Sequence, residues 1–155
     1  MLENCKSARE RWGGVSEIID RWLHSRQELL VRFCALSQKK EIAESDAEAE
    51  ENVRQLCQQL VDYVSAGHFE VYEQLIHEGK AFGDKQGLET ARQLYREIDD
   101  TTDVAVDFND KYQETDDLTA LQRDLSQLGE ALETRFSSED QMIALLHTAH
   151  KNQLA

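Results

Sequence analysis

The stretch LTALQRDLSQLGEALETRFSSEDQMIALL, Leu118 to Leu146, decides the fold. Its apolar residues fall at Leu118, Leu121, Leu125, Leu128, Leu132, Phe136, Ile143 and Leu146, in steps of three, four or seven. That is one face of a long α-helix, not the alternation of a strand. Thr115, Asp116 and Asp117 supply its start. Upstream, Leu88, Ala91, Leu94, Tyr95, Ile98, Ala105, Phe108 and Tyr112 form a second such face, with a weaker centre at Thr101, Thr102 and Val104 that invites a bend. A third runs through Val53, Leu56, Cys57, Leu60, Val61, Val64, Val71, Leu75 and Ile76, opened by a capping box at Ser45 and Glu48 and closed by Gly79 and Gly83. The first comprises Val15, Ile18, Ile19, Trp22, Leu23, Leu29, Leu30, Phe33 and Cys34, with Ser16 as its cap behind a break at Gly13 and Gly14. The pattern predicts one all-α domain over residues 1–155. It is an antiparallel up-down-up-down four-helix bundle with a short helical segment at 2–12 and helices at about 16–37, 46–78, 85–112 and 116–149.

Composition narrows the class of partner. There are 31 acidic side chains against 17 Lys and Arg, a net charge of −14. Direct binding of nucleic acid or of an anionic membrane rests on clustered cations, so neither is expected. Proline is absent and glycine numbers 7, which removes the usual punctuation of turn-rich β proteins. Cys5, Cys34 and Cys57 have neither a zinc spacing nor an even count. They read as free thiols, with Cys34 and Cys57 on core faces. With no leader-like apolar run at Met1 to Glu10 and no membrane-length stretch, a cytoplasmic protein is expected.

A core face should be apolar, so its polar exceptions are informative. Arg26, His68 and Glu139 each fall on such a face, near the middle of its helix. An unpaired guanidinium there is costly, which predicts a partly buried network of Arg26, His68 and Glu139, with Glu73 in reach. The network either fixes helix register or orders a binding surface. Metal chemistry has weaker support. Glu73 with His77, His147 with His150 and a lone His68 do not make the paired inward Glu-x-x-His of a di-iron bundle, and His147 and His150 lie at a fraying end. No cofactor is expected. Without a nucleophile elbow, phosphate loop or Cys–His signature, the chain does not read as an enzyme.

The charge is unevenly placed. Residues 1–40 carry 8 basic and 5 acidic side chains; residues 41–155 carry 9 and 26, bunched at Glu41–Glu51, Glu97–Asp110 and Glu114–Asp117. Such a field steers a basic protein, while specificity needs apolar anchors beside it. On the helix containing Leu60 to Glu73, the strip Asp62, Ser65, Phe69, Tyr72 and Glu73 is rotated away from the core line. Small Ser65, Ala66 and Gly67 leave room for a neighbour. The strip fits either a bundle packed on more than one side or a groove for a partner helix.

Three blocks carry a family resemblance. They are Asp20-Arg21-Trp22-Leu23 with Arg26 and Leu29-Leu30; Leu60-Val61-Asp62-Tyr63-Val64-Ser65-Ala66-Gly67-His68-Phe69 with Tyr72-Glu73; and Gly129-Glu130-Ala131-Leu132-Glu133 with Arg135-Phe136 and Glu139-Asp140. The chain resembles the Rsd/AlgQ family of bacterial anti-sigma factors from Met1 to about His150, and Arg11-Trp12-Gly13-Gly14-Val15 with Phe69 to Leu75 look closer to its AlgQ branch. The resemblance implies a helical bundle that binds region 4 of the primary sigma factor, blocking its contacts with the −35 promoter element and with core RNA polymerase. Asp20, Arg21, Asp62, Ser65, Phe69, Tyr72 and Glu73 are then the expected partner-binding residues, and Arg26, His68 and Glu139 the internal ones. The alternatives are a cofactor-holding bundle of hemerythrin or ferritin type using His68, Glu73, His77 and Glu139, and an adapter for another basic protein.

Overall fold

The computed structural model describes residues 2–39 and 47–154. Helix α1 spans Leu2–Ser37 and α2 spans Ala47–Ala66. A single π-helical turn, Gly67–Val71, joins α2 to α3, Tyr72–Ala81, and the backbone stays right-handed helical at both junctions. Helix α4 covers Lys85–Tyr112, α5 covers Leu121–Leu146, and a 3₁₀ segment, Thr148–Leu154, follows. Among the described residues there is no strand.

Side-chain pairs give the directions of the four rods. Trp12 meets His147, Arg26 meets Asp140 and Gln122 bonds to the Leu36 carbonyl, so α1 and α5 run antiparallel. Arg32 bonds to Asn52 and Gln59 while Trp22 stacks on Tyr63, which sets α1 antiparallel to α2. His68 meets Tyr95 and Thr102, and Gly79 lies against Leu88, opposing the α2–α3 rod to α4. Ser138 bonds to Glu97 and Tyr112 to Asp124, closing the circuit between α4 and α5. The result is an antiparallel up-down-up-down four-helix bundle.

Helix α4 spans the expected 85–112, while the rod of α2 and α3 runs on to Ala81 and not 78, α5 ends at Leu146 and not 149, and further differences concern α1, the start of α5 and the centre of α4. Helix α1 runs through Gly13 and Gly14 without a break, because one intact amphipathic face continues from Val15 and nothing packs against the glycines to force a turn. Helix α5 starts at Leu121 and not near 116, since Asp117 is used in a local turn that accepts the Thr119 amide at 3.0 Å. Helix α4 passes its Thr101–Thr102 centre as one element, each threonine hydroxyl bonding back to the Ile98 carbonyl. The capping serine at Ser45 and most of the acidic run from Glu41 lie outside the described residues. Cys57 is buried, and burial pushes its thiol up to about 11, whereas Cys34 is exposed. The core line of α1 runs Val15, Ile19, Trp22, Leu29 and Leu36, which turns Cys34 outward.

His147 and His150, expected at a fraying end, are 5% and 1% exposed. His147 Nδ1 sits 2.8 Å from Glu78 while its ring stacks on Trp12; His150 Nε2 sits 3.0 Å from Asp84 while its ring stacks on Phe82. These contacts hold the 3₁₀ segment against the end of the bundle. Gly83, at φ +66°, makes the left-handed turn between α3 and α4 that brings Asp84 there. No helix among the described residues is long and apolar enough to cross a membrane.

Because the space around Gly13 and Gly14 is open and both are helical, replacing either with alanine should stabilise the protein by about 0.5–1 kcal/mol. Urea denaturation of each variant checks this; a loss of stability would contradict a continuous α1.

Candidate functional site

The centre of the bundle is polar. The Glu139 side chain on α5 has no solvent exposure. One of its oxygens accepts the Tyr63 hydroxyl from α2 at 2.5 Å, and the other accepts the Tyr72 hydroxyl from the first turn of α3. Arg26 of α1 approaches at 3.5 Å and Arg135, one helical turn before Glu139, at 3.4 Å. Arg135 is itself fully buried. Its guanidinium donates to the Thr101 and Thr102 hydroxyls of α4 at 3.1 and 2.9 Å and to the Tyr72 oxygen at 3.2 Å. Arg26 donates to the Tyr63 oxygen at 3.0 Å and reaches the exposed Asp140 at 2.6 Å, so the second guanidinium finds its counter-charge at the rim.

Burial sets the protonation pattern. It pushes the Tyr63 and Tyr72 phenols well up, with the nearby Glu139 adding to the effect, so both remain protonated and donate. It also holds Glu139 above the usual glutamate range, against the pull of Arg135, the two hydroxyls and Arg26. His68 is moved down by burial and then by Arg135. Its two ring nitrogens lie 3.1 Å from the Tyr95 hydroxyl and 3.3 Å from Thr102. Arg26, Glu139 and His68 are thus brought into one network, the histidine entering through Thr102 and Arg135. Glu73 is exposed and does not join it.

Tyr63, Tyr72 and Arg135, with Thr101 and Thr102, are network members that sequence reasoning missed. The apolar line had been drawn through Val61 and Val64, yet Val61 is 39% exposed and Tyr63 fully buried. Arg135 stands three residues after Leu132 and seven before Met142, both buried, so the test that found Arg26 would have found it too.

Above the network lies the strip first seen in the sequence. Asp62, Glu73 and Phe69 are exposed, Phe69 at 78%, and Ser65 is half-buried. Gln58 donates to Asp62 at 2.9 Å. Asp20 and Arg21 are exposed on α1, where Arg21 lies 3.9 Å from Glu70 of the π turn. Tyr72 is a correction: placed on the exposed strip by regular helical spacing, it is 2% exposed and points to Glu139. The π turn inserts roughly one extra residue into its coil, which rotates everything after it by about 100° and swings Tyr72 inward. Gly67 makes this possible. A Cβ there would lie 3.0 Å from the Tyr72 hydroxyl and 3.2 Å from Trp22.

The residues of the metal alternative do not converge. His68 faces Tyr95 and Thr102, Glu73 and His77 are exposed, and Glu139 is taken up by tyrosines and arginines. Among the described residues no three His, Cys, Asp or Glu side chains come together as ligands.

Replacing Glu139 with leucine leaves Arg26 and Arg135 facing an apolar group, which should cost on the order of 3–5 kcal/mol of stability. Asp140→Ala, removing an exposed partner, should cost less than about 1 kcal/mol. Chemical denaturation of the two variants side by side measures the contrast.

Residues 1–147 match the family described as "Regulator of RNA polymerase sigma(70) subunit, Rsd/AlgQ". A protein named Regulator of sigma D from Salmonella arizonae is 40% identical over 154 residues, covering 96% of this chain and 93% of its own. Its namesake in Yersinia pseudotuberculosis is 37% identical over 151 residues, covering 92% and 87%. That from Yersinia enterocolitica is 38% identical over 152 residues, covering 92% and 88%. With the match running from the first residue through the end of α5, this chain belongs to the Rsd/AlgQ family of regulators of the RNA polymerase sigma(70) subunit.

Proposed function

We propose that the protein is a cytoplasmic anti-sigma factor that binds region 4 of the primary sigma factor. Bound there, it covers the surfaces that sigma uses to read the −35 promoter element and to dock on core polymerase. It acts by stoichiometric occupancy, with no chemical step.

The observation that carries this reading is the outward face of the α2–α3 rod. From Gln55 to Gly79 the chain has not one Lys or Arg, and Asp62, Glu70 and Glu73 are exposed on it. In the middle of that stretch Phe69 stands 78% exposed, with Asp62 and Ser65 on the same strip. A large aromatic side chain held in water by a rigid helix is a cost to the free protein that a partner relieves. Carboxylates around it select a cationic partner, and a DNA-reading helix-turn-helix presents such a surface. The polar core beneath suits the role, since it fixes the π turn from which Phe69 projects. A family of sigma regulators, matched over nearly the whole chain, agrees in kind of partner.

Phe69→Ala and Asp62→Ala should each weaken binding to isolated sigma region 4, the first on the order of 30-fold or more, with thermal unfolding unchanged because both side chains are exposed. Titration calorimetry and a melting curve for each variant test this. Wild-type protein that leaves region 4 free at physiological salt would refute the assignment.

A further inference from the structure

On the α4 side of the same rod there is a groove with no assigned role. Leu60, Val61, Val64 and Ser65 of α2 and Ala105, Val106 and Asn109 of α4 line a mostly apolar cavity of about 110 Å³, the size of one aliphatic side chain. The large apolar residues that are exposed among the described residues are Val31, Val61, Phe69 and Val106. Two of these line the groove, and Phe69 stands one turn beyond its Ser65 wall. This concentration is not what scattered surface residues give.

The charged side chains beside the groove are acidic, and Arg54 on α2 and Arg96 on α4 stand beyond its two ends. On α4, Asp99, Asp103, Val106 and Asp110 follow one another at helical spacing on one exposed stripe. Glu97 to Asp110 contains six acidic residues and no Lys or Arg, matching the cation-free stretch on the opposing rod. Two helices that face each other across an apolar slot therefore both withhold cations there. An anionic partner would meet uncompensated repulsion, and a second copy docking through this same face would bring the same acids.

We propose that this α2–α4 groove is a specificity pocket: it takes one aliphatic side chain from a cationic amphipathic helix, with Val61 and Val106 as its walls and Asp103 and Asp110 beside its lysines and arginines. The proposal rests on the reading of the α2–α3 face as a sigma-binding surface and extends that surface onto α4. The helix lies across the α2–α4 seam, its apolar side chain in the slot and its neighbour against Phe69. Affinity comes from the two apolar anchors. The carboxylates on both rods decide which helices are admitted and how fast they arrive.

The test measures binding of sigma region 4 to the full chain by fluorescence anisotropy, comparing wild type with Val106→Arg, Val61→Arg, Phe69→Ala and, on the far side of the bundle, Glu133→Arg. Val106→Arg and Val61→Arg should each weaken binding on the order of 30-fold or more, while Glu133→Arg changes it less than about 3-fold. Melting temperatures should hold, since Val106 is 47% and Val61 39% exposed. A Val106→Arg protein that melts like wild type and binds region 4 as tightly, while Phe69→Ala is weakened, overturns the groove and leaves the sigma reading standing. Wild type that fails to bind overturns the sigma reading, and the groove with it. If both arginine variants are destabilised, Val106→Ser is measured instead; undiminished binding by it overturns the groove.

Discussion

A carboxylate sealed from water is the constraint on which this bundle turns. Ionised Glu139 is tolerable only if its lone pairs are filled and its charge answered, and beside Arg135 of its own helix the partners that do so come from three other helices. Tyr63 fixes the rotation of α2, Tyr72 that of α3, Arg26 that of α1. Arg135, held by Thr101 and Thr102, ties in α4. An all-leucine core of the same volume would be at least as stable, but its helices could slide and rotate at little cost. Here a small rotation of any rod breaks a buried hydrogen bond. The polar centre therefore makes one arrangement of otherwise similar amphipathic helices much better than its neighbours.

The π turn follows from that constraint. In a regular helix the residue at 72 would point away from Glu139, and one of the carboxylate oxygens would lose its donor. The extra residue in Gly67–Val71 brings Tyr72 round, and Gly67 gives up its side chain so that the Tyr72 hydroxyl and the Trp22 ring can pass close to the backbone. The same turn leaves Phe69 pointing outward between His68, which bonds toward α4, and Glu70, which faces Arg21 on α1. One irregularity thus completes the core and presents the most exposed large apolar side chain of the described residues. Surface and interior are coupled here through five residues of backbone.

Much of this was legible in sequence, and the failures have one origin. The four helical rods, their antiparallel order and the intrusion of Arg26, His68 and Glu139 into apolar faces follow from a period of about 3.6 residues, which holds over most of the chain. Where that period is broken, the reading breaks. Tyr72 was assigned to the surface because no residue pattern announces a π turn; the turn is a tertiary bargain struck between Gly67, Trp22 and Glu139, far apart in sequence. The apolar line passes through Val61 and leaves out Tyr63, since a period alone does not say which of two large residues two positions apart faces in. Gly13 and Gly14 looked like a break because glycine weakens helices in isolation, yet α1 is held by its packing and not by propensity. His147 and His150 looked frayed because their acidic partners, Glu78 and Asp84, lie more than sixty residues away.

If the protein binds sigma region 4 as proposed, the division of labour between charge and apolar surface explains how an acidic bundle would compete with a promoter. Attraction of a cationic sigma surface to DNA comes largely from the release of counterions and falls steeply as salt rises. In the proposed complex the carboxylates of the α2–α3 rod and of α4 would meet the same cations, and over distances beyond about 8 Å at physiological salt they too are screened. What the duplex does not offer is a rigid aromatic side chain or an apolar slot. Burying Phe69 or filling the slot between Val61 and Val106 gains free energy that salt does not screen. On the proposed reading, acidity would give this surface its sign and its rate of encounter, while the few apolar groups projecting through the acids would give it an advantage that no phosphate backbone shares.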